Sequence, residues 1–95
     1  MISVTSKNID IEQETRDYIN EKFSDLDKYL DRIQFIDVFL EKNKLRNQVN
    51  LKIGVKKMGA VTLKGEAENL REAIDLIRDK AKTRLTRLKE KAISQ

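Results

Sequence analysis

The chain has 95 residues, 39% of them hydrophobic and 38% charged, enough for one modest core beneath a heavily ionic surface, so a single domain over 1–95 is expected. It contains no Cys and no His, which excludes a disulfide framework, a thiolate nucleophile, the commonest general base and most zinc sites. The net charge of +4 falls entirely within residues 69–95, where eight Lys and Arg stand against four Asp and Glu, while residues 1–68 carry twelve of each.

Met1 to Thr5 alternates, with Ile2 and Val4 on one side, which predicts a short strand. Ser6-Lys7-Asn8 is polar and turn-like. Ile11, Thr15, Ile19, Phe23, Leu26, Leu30 and Ile33 then recur at helical spacing and predict a first helix over roughly 12–30, closed by Asp31-Arg32. Asp10 or Glu12 suits its start, where negative charge complements the helix dipole. Tyr18, Lys22, Asp25, Tyr29 and Arg32 share one flank. Interleaved cations and aromatics of this kind engage nucleic acid, but the commoner arrangement is that such tyrosines border the core with wet hydroxyls.

Ile36, Val38 and Leu40 alternate with Phe35, Asp37, Phe39 and Glu41, a strand with one buried face that ends in the polar stretch Asn43 to Gln48 or runs on through Leu45. Val49, Leu51, Ile53 and Val55 mark the clearest strand. Lys57-Met58-Gly59 reads as a hairpin connection, with Gly59 available for positive φ. Val61 and Leu63 continue the inward parity through Gly65 and Ala67, whose small size lets a helix approach closely unless Gly65 marks a bulge. Phe39 falls on the polar face, where packing within the hairpin is a more ordinary role than stacking on a base.

Leu70, Ile74, Ile77, Ala81, Leu85, Leu88 and Ala92 form the apolar stripe of a long helix from Asn69 to Lys91. Asn69 suits the N-cap, with Glu72 completing a capping box. Its cations split into two rows beside the stripe. One holds Lys80, Arg84, Arg87 and Lys91; the other holds Arg78, Lys82 and Lys89, with Arg71 a little before them. Glu72, Asp75, Asp79 and Glu90 fall on the outermost face. Long cations commonly edge an apolar stripe because their stems cover it. Sorted into rows on a near-neutral body, they also suit a polyanion, either nucleic acid or an anionic membrane surface. Ile93 to Gln95 reads as a frayed tail.

The element order β-α-β-β-β-α, with strands 2 to 4 as a meander, predicts an α+β two-layer sandwich: a four-stranded sheet with both helices on one face and the other face wet. This is the layout of double-stranded-RNA-binding domains, which read duplex shape and phosphates. Nothing points to an enzyme, a cofactor or a small-molecule substrate. The four serines lack a nucleophile-elbow context, and the three glycines do not make a phosphate-binding loop. No apolar run approaches the roughly 18 residues of a membrane span and no signal-peptide pattern opens the chain, so the cytoplasm is the expected compartment and no membrane partner is expected.

Two segments carry a resemblance. Arg16, Tyr18, Lys22, then Leu26-Asp27-Lys28-Tyr29 and Asp31-Arg32, are similar to an R-x-Y/F-x-x-x-K-x-x-K-L-E-K-Y segment. Ala73-Ile74-Asp75, Asp79-Lys80, Leu85 and Lys89-Glu90-Lys91 are similar to A-A-I-D…D-K-L…Q-L…K-x-K. Together, and over nearly the whole chain, they resemble the ribosome hibernation-promoting factors, the family that includes the ribosome-associated inhibitor A. The resemblance implies a cytoplasmic bacterial or plastid protein that binds the small ribosomal subunit and its rRNA in the channel used by mRNA and tRNA. It blocks translation there and preserves idle ribosomes under stress, as in stationary phase.

The family's contacts run from basic side chains of both helices to RNA phosphates. Carried over by position, they are Lys22, Lys28, Arg32, Lys80, Arg87, Lys89 and Lys91. Arg84 joins them from its place in the row; the family's usual Arg in that turn aligns with Thr83. Arg71 stands where the family commonly has an aromatic residue, and Ala81 where it has Leu. The resemblance leaves open a short form, which in some bacteria works with a separate ribosome modulation factor, or the N-terminal domain of a long form. A general double-stranded-RNA-binding module not tied to the ribosome is the main alternative, and a module for an acidic protein partner a third.

Overall fold

The computed structural model describes the backbone of residues 2–94 and the side chains of residues 2–91. Its elements are β1 (Ile2–Lys7), α1 (Gln13–Phe23), a 3-10 turn (Leu26–Lys28), β2 (Ile33–Asn43), β3 (Arg46–Val55), β4 (Gly59–Ala67) and α2 (Leu70–Ser94). Met1 and Gln95 lie outside the described residues, as does the side chain of Ala92, the last member of the apolar stripe. The α2 backbone runs on through Ile93 to Ser94, beyond the expected end at Lys91 and into the stretch read as a frayed tail.

Strand order in the sheet is β1-β2-β3-β4. β1 pairs with β2 in parallel, with α1 as the crossover, and β2, β3 and β4 form the expected antiparallel meander. The alternation of each strand sends Ile36, Val38 and Leu40 of β2, Val49, Leu51 and Ile53 of β3, and Val61 of β4 to one face. There they meet Ile19 and Phe23 of α1, Leu26, Leu30, and Ala73, Ile74, Ile77, Ala81 and Leu85 of α2. These side chains form one buried cluster, and both helices supply it, as an α+β two-layer sandwich requires.

Gly65 is buried in β4, and a Cβ placed there would lie 3.4 Å from the Ala73 carbonyl oxygen and from Ile77 Cβ of α2. It therefore lets the helix sit close to the sheet. The pairing of β3 with β4 is unbroken from Asn47↔Ala67 to Val55↔Gly59, so Gly65 makes no bulge; the register shift falls instead in β2 between Ile33 and Phe35. On the open face the Phe35 ring lies against Gly54, where any side chain would collide with it. Phe39, on the same face, is half-buried. At the β3–β4 connection Lys57 and Gly59 both adopt positive φ, 66° and 81°, and Met58 N–H donates to the Val55 carbonyl at 3.1 Å.

Two expectations shift in detail. The first helix stops at Phe23 rather than near 30. Ser24 N–H makes the last helical bond, to Asn20, and the chain tightens into the 3-10 turn, where Lys28 N–H bonds Asp25 and Tyr29 N–H bonds Leu26. Arg78 Nε of α2 donates to the Lys22 carbonyl at 3.4 Å, satisfying an acceptor that the end of the helix leaves without an intrahelical partner. Ile33, counted in the helical stripe, opens β2 instead. Of the two ends expected for β2, the structure takes the turn in the polar stretch: the strand stops at Asn43, because Lys44 turns left-handed at φ 54° and leaves Leu45 84% exposed at the hairpin tip.

Candidate nucleic-acid interface

α2 is positioned by its cap and its stripe. Asn69 Oδ1 accepts from Arg71 N–H at 2.9 Å, and the Asn69 carbonyl accepts the first helical bond from Ala73 at 3.1 Å. The reciprocal half of the expected capping box is absent, since Glu72 makes no bond back among the described residues. With Ala73, Ile74, Ile77, Ala81 and Leu85 fully buried, the helix has a fixed rotation about its axis, and its two basic flanks face different neighbours.

On the flank toward α1, Arg71, Arg78 and Lys82 are engaged within the protein, while Lys89 in the same row makes no hydrogen bond, ion pair or ring contact among the described residues. Arg78, with a side chain only 21% exposed, pairs with Asp25 at 3.2 Å and sits 5.9 Å from the centre of the Tyr29 ring. Burial works against its charge, but Tyr29 and Asp25 outweigh that, and its pKa lies above the ordinary arginine value. Lys82 lies over the other reach of Tyr29 at 5.5 Å. Arg71 lies 4.8 Å over Tyr18 and pairs with Glu14 at 3.4 Å. Lys22 lies 5.4 Å from the same ring and 3.8 Å from Asp75. These cations hold α1 and the 3-10 turn against α2.

The two tyrosines are core-bordering, but the Tyr18 hydroxyl is not left to water: it donates to Asp75 Oδ1 at 2.5 Å. That bond, with burial and the Asp75 charge behind it, raises the Tyr18 pKa above the usual phenol value. Asp75, read as outermost, is half-buried in this seam. No periodicity argument finds such a pair, because its members lie 57 positions apart.

The flank toward β4 is different. Lys80 Nζ donates to the Lys64 carbonyl at 2.9 Å, on the outer edge of the sheet. Arg84 and Arg87 are exposed and make no hydrogen bond or ion pair among the described residues. With Lys80 they line an open groove of about 350 Å³ whose other walls are Leu63, Leu76, Asp79 and Thr83. Leu76 is 42% exposed there, an apolar patch that the stripe count passed over. Lys89 and Lys91 are exposed further along α2, and Lys28 is exposed on the 3-10 turn.

Arg32 stands apart from the groove residues. Its carbonyl accepts from Lys56 N–H at 2.8 Å, and it lines a second shallow depression with Asp31, Lys56 and Lys57. Lys56 and Lys57 are therefore basic neighbours of Arg32. Of the residues named from sequence, the fold brings Lys80, Arg84 and Arg87 into one groove. It draws Lys22 into the helix–helix seam and puts Arg32 into a separate basic cluster. No helix among the described residues is long and apolar enough to cross a membrane.

Residues 2–93 match the family model described as Sigma 54 modulation protein / S30EA ribosomal protein. The chain is 33% identical over 95 residues to a ribosome hibernation promoting factor of Azotobacter vinelandii, covering 99% of this chain and 87% of that protein. It is 29% identical over 90 residues to the Escherichia coli ribosome hibernation promoting factor, covering 95% and 94%. Among solved structures, the N-terminal domain of Thermus thermophilus Protein Y superposes with a TM-score of 0.82 at 25% identity, covering 90% of this chain and 94% of that one. A ribosomal subunit interface protein from Coxiella burnetii shares the fold, with a TM-score of 0.83 at 23% identity over 94% and 97% of the two chains.

Proposed function

The chain belongs to the Sigma 54 modulation protein / S30EA ribosomal protein family, and on that basis we propose that it is a ribosome hibernation factor, a non-enzymatic protein of the cytoplasm that binds ribosomes. In this reading it occupies the mRNA and tRNA channel of the small subunit, blocks translation and preserves idle ribosomes. Lys80, Arg84, Arg87, Lys89 and Lys91 of α2 meet rRNA phosphates, with Lys28 and Arg32 beside them and Lys22 at the margin of the seam. Kinship to proteins named ribosome hibernation promoting factor supports the ribosome as partner.

The observation that carries the surface assignment is the asymmetry of α2. Both flanks are basic, but among the cations facing α1, Arg78 pairs with Asp25, Arg71 pairs with Glu14, and Arg71, Arg78 and Lys82 lie over two tyrosine rings. Arg84 and Arg87 face outward with no carboxylate within ion-pair distance among the described residues. Cations left unmatched by the protein are the ones available to phosphates.

Sedimentation with purified ribosomes through a sucrose gradient at physiological salt tests the reading. The protein is expected with the small subunit and with intact ribosomes, and its absence from both fractions sinks the proposal. Competition by arbitrary duplex RNA at equal affinity would favour the general RNA-binding alternative. Replacing Lys80, Arg84 and Arg87 by Ala should flatten the salt dependence of binding by roughly 0.7–0.9 of a slope unit for each phosphate no longer neutralised. An unchanged slope would mean that this flank is only a solvated edge.

A further inference from the structure

The groove between α2 and β4 has a composition that phosphate binding alone does not explain. Its lining is basic at Lys80, Arg84 and Arg87, apolar at Leu63 and Leu76, and acidic at Asp79, which also borders the depression toward α1 with Asp25, Asp75 and Arg78. The Asp79 carboxylate has no hydrogen bond or ion pair among the described residues; only its backbone carbonyl is used, by the Thr83 hydroxyl at 3.2 Å. A duplex backbone laid here would set phosphates against that carboxylate and leave Leu76 without an apolar partner. An acidic peptide would meet the same repulsion.

An unpaired nucleotide suits the apolar, basic and acidic parts of this lining together. Its base is a flat apolar surface for Leu63 and Leu76, its phosphates match Arg84 and Arg87, and its edge carries N–H donors for Asp79. Guanine is singled out among the bases, because its Watson–Crick edge presents two adjacent donors, N1–H and the exocyclic amino group, to the two oxygens of one carboxylate. Cytosine, adenine and uracil offer a single such donor group beside an acceptor. The groove volume of about 350 Å³ is at the lower end of the range for small-ligand clefts, about 300–1,000 Å³, and suits one base rather than several.

We propose that this groove is a seat for one unpaired guanine nucleotide of RNA, with Asp79 reading the base edge, Leu63 and Leu76 carrying the ring, and Arg84 and Arg87 holding the flanking phosphates. The proposal rests on the reading above that this flank of α2 meets RNA, and it adds a sequence preference to a surface otherwise expected to read only shape.

The test uses fluorescently labelled hexauridylate and three versions with a single internal G, A or C, binding measured by anisotropy at fixed salt. The G-containing strand is expected to bind at least about fivefold tighter than the other three. Asp79→Asn is expected to remove that preference, since a carboxamide offers one acceptor and one donor, while the other three strands bind no more weakly than before. Amide resonances of Leu76 and Thr83 should shift with the G strand, which locates it. Equal affinity for all four strands, binding of none, a preference that survives Asp79→Asn, or shifts confined to another face would each overturn the guanine seat. Sedimentation of the wild type with ribosomes, run in parallel, separates the two ideas. Continued co-sedimentation with no guanine preference rejects the seat alone, and loss of co-sedimentation counts against the ribosomal reading.

Discussion

Tyr18 of α1 donates its hydroxyl hydrogen to Asp75 of α2 at 2.5 Å, joining two helices whose contributing residues lie 57 positions apart. Lys22 and Arg71 lie within 5.4 Å and 4.8 Å of the centre of the same ring, so one aromatic side chain organises a hydrogen bond and two cation contacts. The seam fixes how α1 and the 3-10 turn sit beside α2, and it engages Lys22, Arg71 and Asp75 within the protein.

Tyr18→Phe should keep the packing and lose the bond, costing about 0.5–1.5 kcal/mol of unfolding free energy, the usual net worth of one partly exposed hydrogen bond. It should leave ribosome binding unchanged. The variant also isolates a pH effect. The folded-state pKa of Tyr18 is raised above its unfolded value, chiefly by the bond to Asp75. The stabilisation is therefore complete below the ordinary phenol pKa of about 10 and is lost as pH rises through the higher folded value. Urea denaturation at stepwise higher pH should show wild type and Tyr18→Phe converging in alkali; parallel curves would place the stabilising effect elsewhere.

Leu85→Ala and Arg87→Ala divide core from surface within two residues of one helix. Leu85 is fully buried, and its truncation should cost about 2–5 kcal/mol. Arg87 is exposed, and its replacement should change stability by no more than about 0.5 kcal/mol, the usual scale for such surface changes, while weakening ribosome binding. Thermal melts followed by sedimentation distinguish the two; equal destabilisation would mean that α2 is rotated from the orientation described.

Arg78→Ala makes the complementary case on the other flank. Its guanidinium bonds both the Lys22 carbonyl and Asp25, and Asp25 is itself only 33% exposed in its side chain. Removal should lower stability by about 1–3 kcal/mol, the range for stranding a partly buried charged partner. The salt slope of RNA binding should stay as in wild type, measurable by anisotropy across a salt series. A reduced slope would show that Arg78 contacts phosphate after all.

Gly65 gives a graded prediction. Alanine adds one carbon at 3.4 Å from Ala73 O and Ile77 Cβ, an ordinary contact distance, and Gly65 has no positive φ to lose. Gly65→Ala should therefore be neutral or raise stability slightly, by up to about 1 kcal/mol through the less flexible unfolded chain. Gly65→Val adds two further carbons where α2 already touches the sheet and should cost about 1–3 kcal/mol. Urea midpoints of the pair check the closeness of helix and strand.

The fold was legible because its signals are local and periodic. Val49, Leu51 and Ile53 alternate, and Ile74, Ile77, Ala81 and Leu85 repeat at helical steps, so which face of each element is buried followed from spacing alone. The end of helix 1 was not legible, since the residue that satisfies the Lys22 carbonyl is Arg78, far along the chain. The two basic rows looked alike in sequence for the same reason: which cations are engaged within the protein depends on whether Tyr18, Asp25 and Tyr29 or the edge of β4 lies opposite. Spacing gave Leu76 and Asp79 no binding role because a groove belongs to two elements, and the sequence of α2 contains only one of its walls.

The order of strands in the sheet is the order of strands in the chain, and this has a consequence for how the protein is made. β2, β3 and β4 are joined by tight hairpins, so their pairing closes short loops and is expected to form early. β1 is held at the sheet by β2 alone, across the whole of α1, and must close a long loop to reach it. β1 leaves the ribosome before Ile36 to Glu41, its pairing partners, and is expected to join the sheet after β2, β3 and β4 have paired. Pulse-labelled hydrogen exchange during refolding should find the β1 amides protected after those of β3.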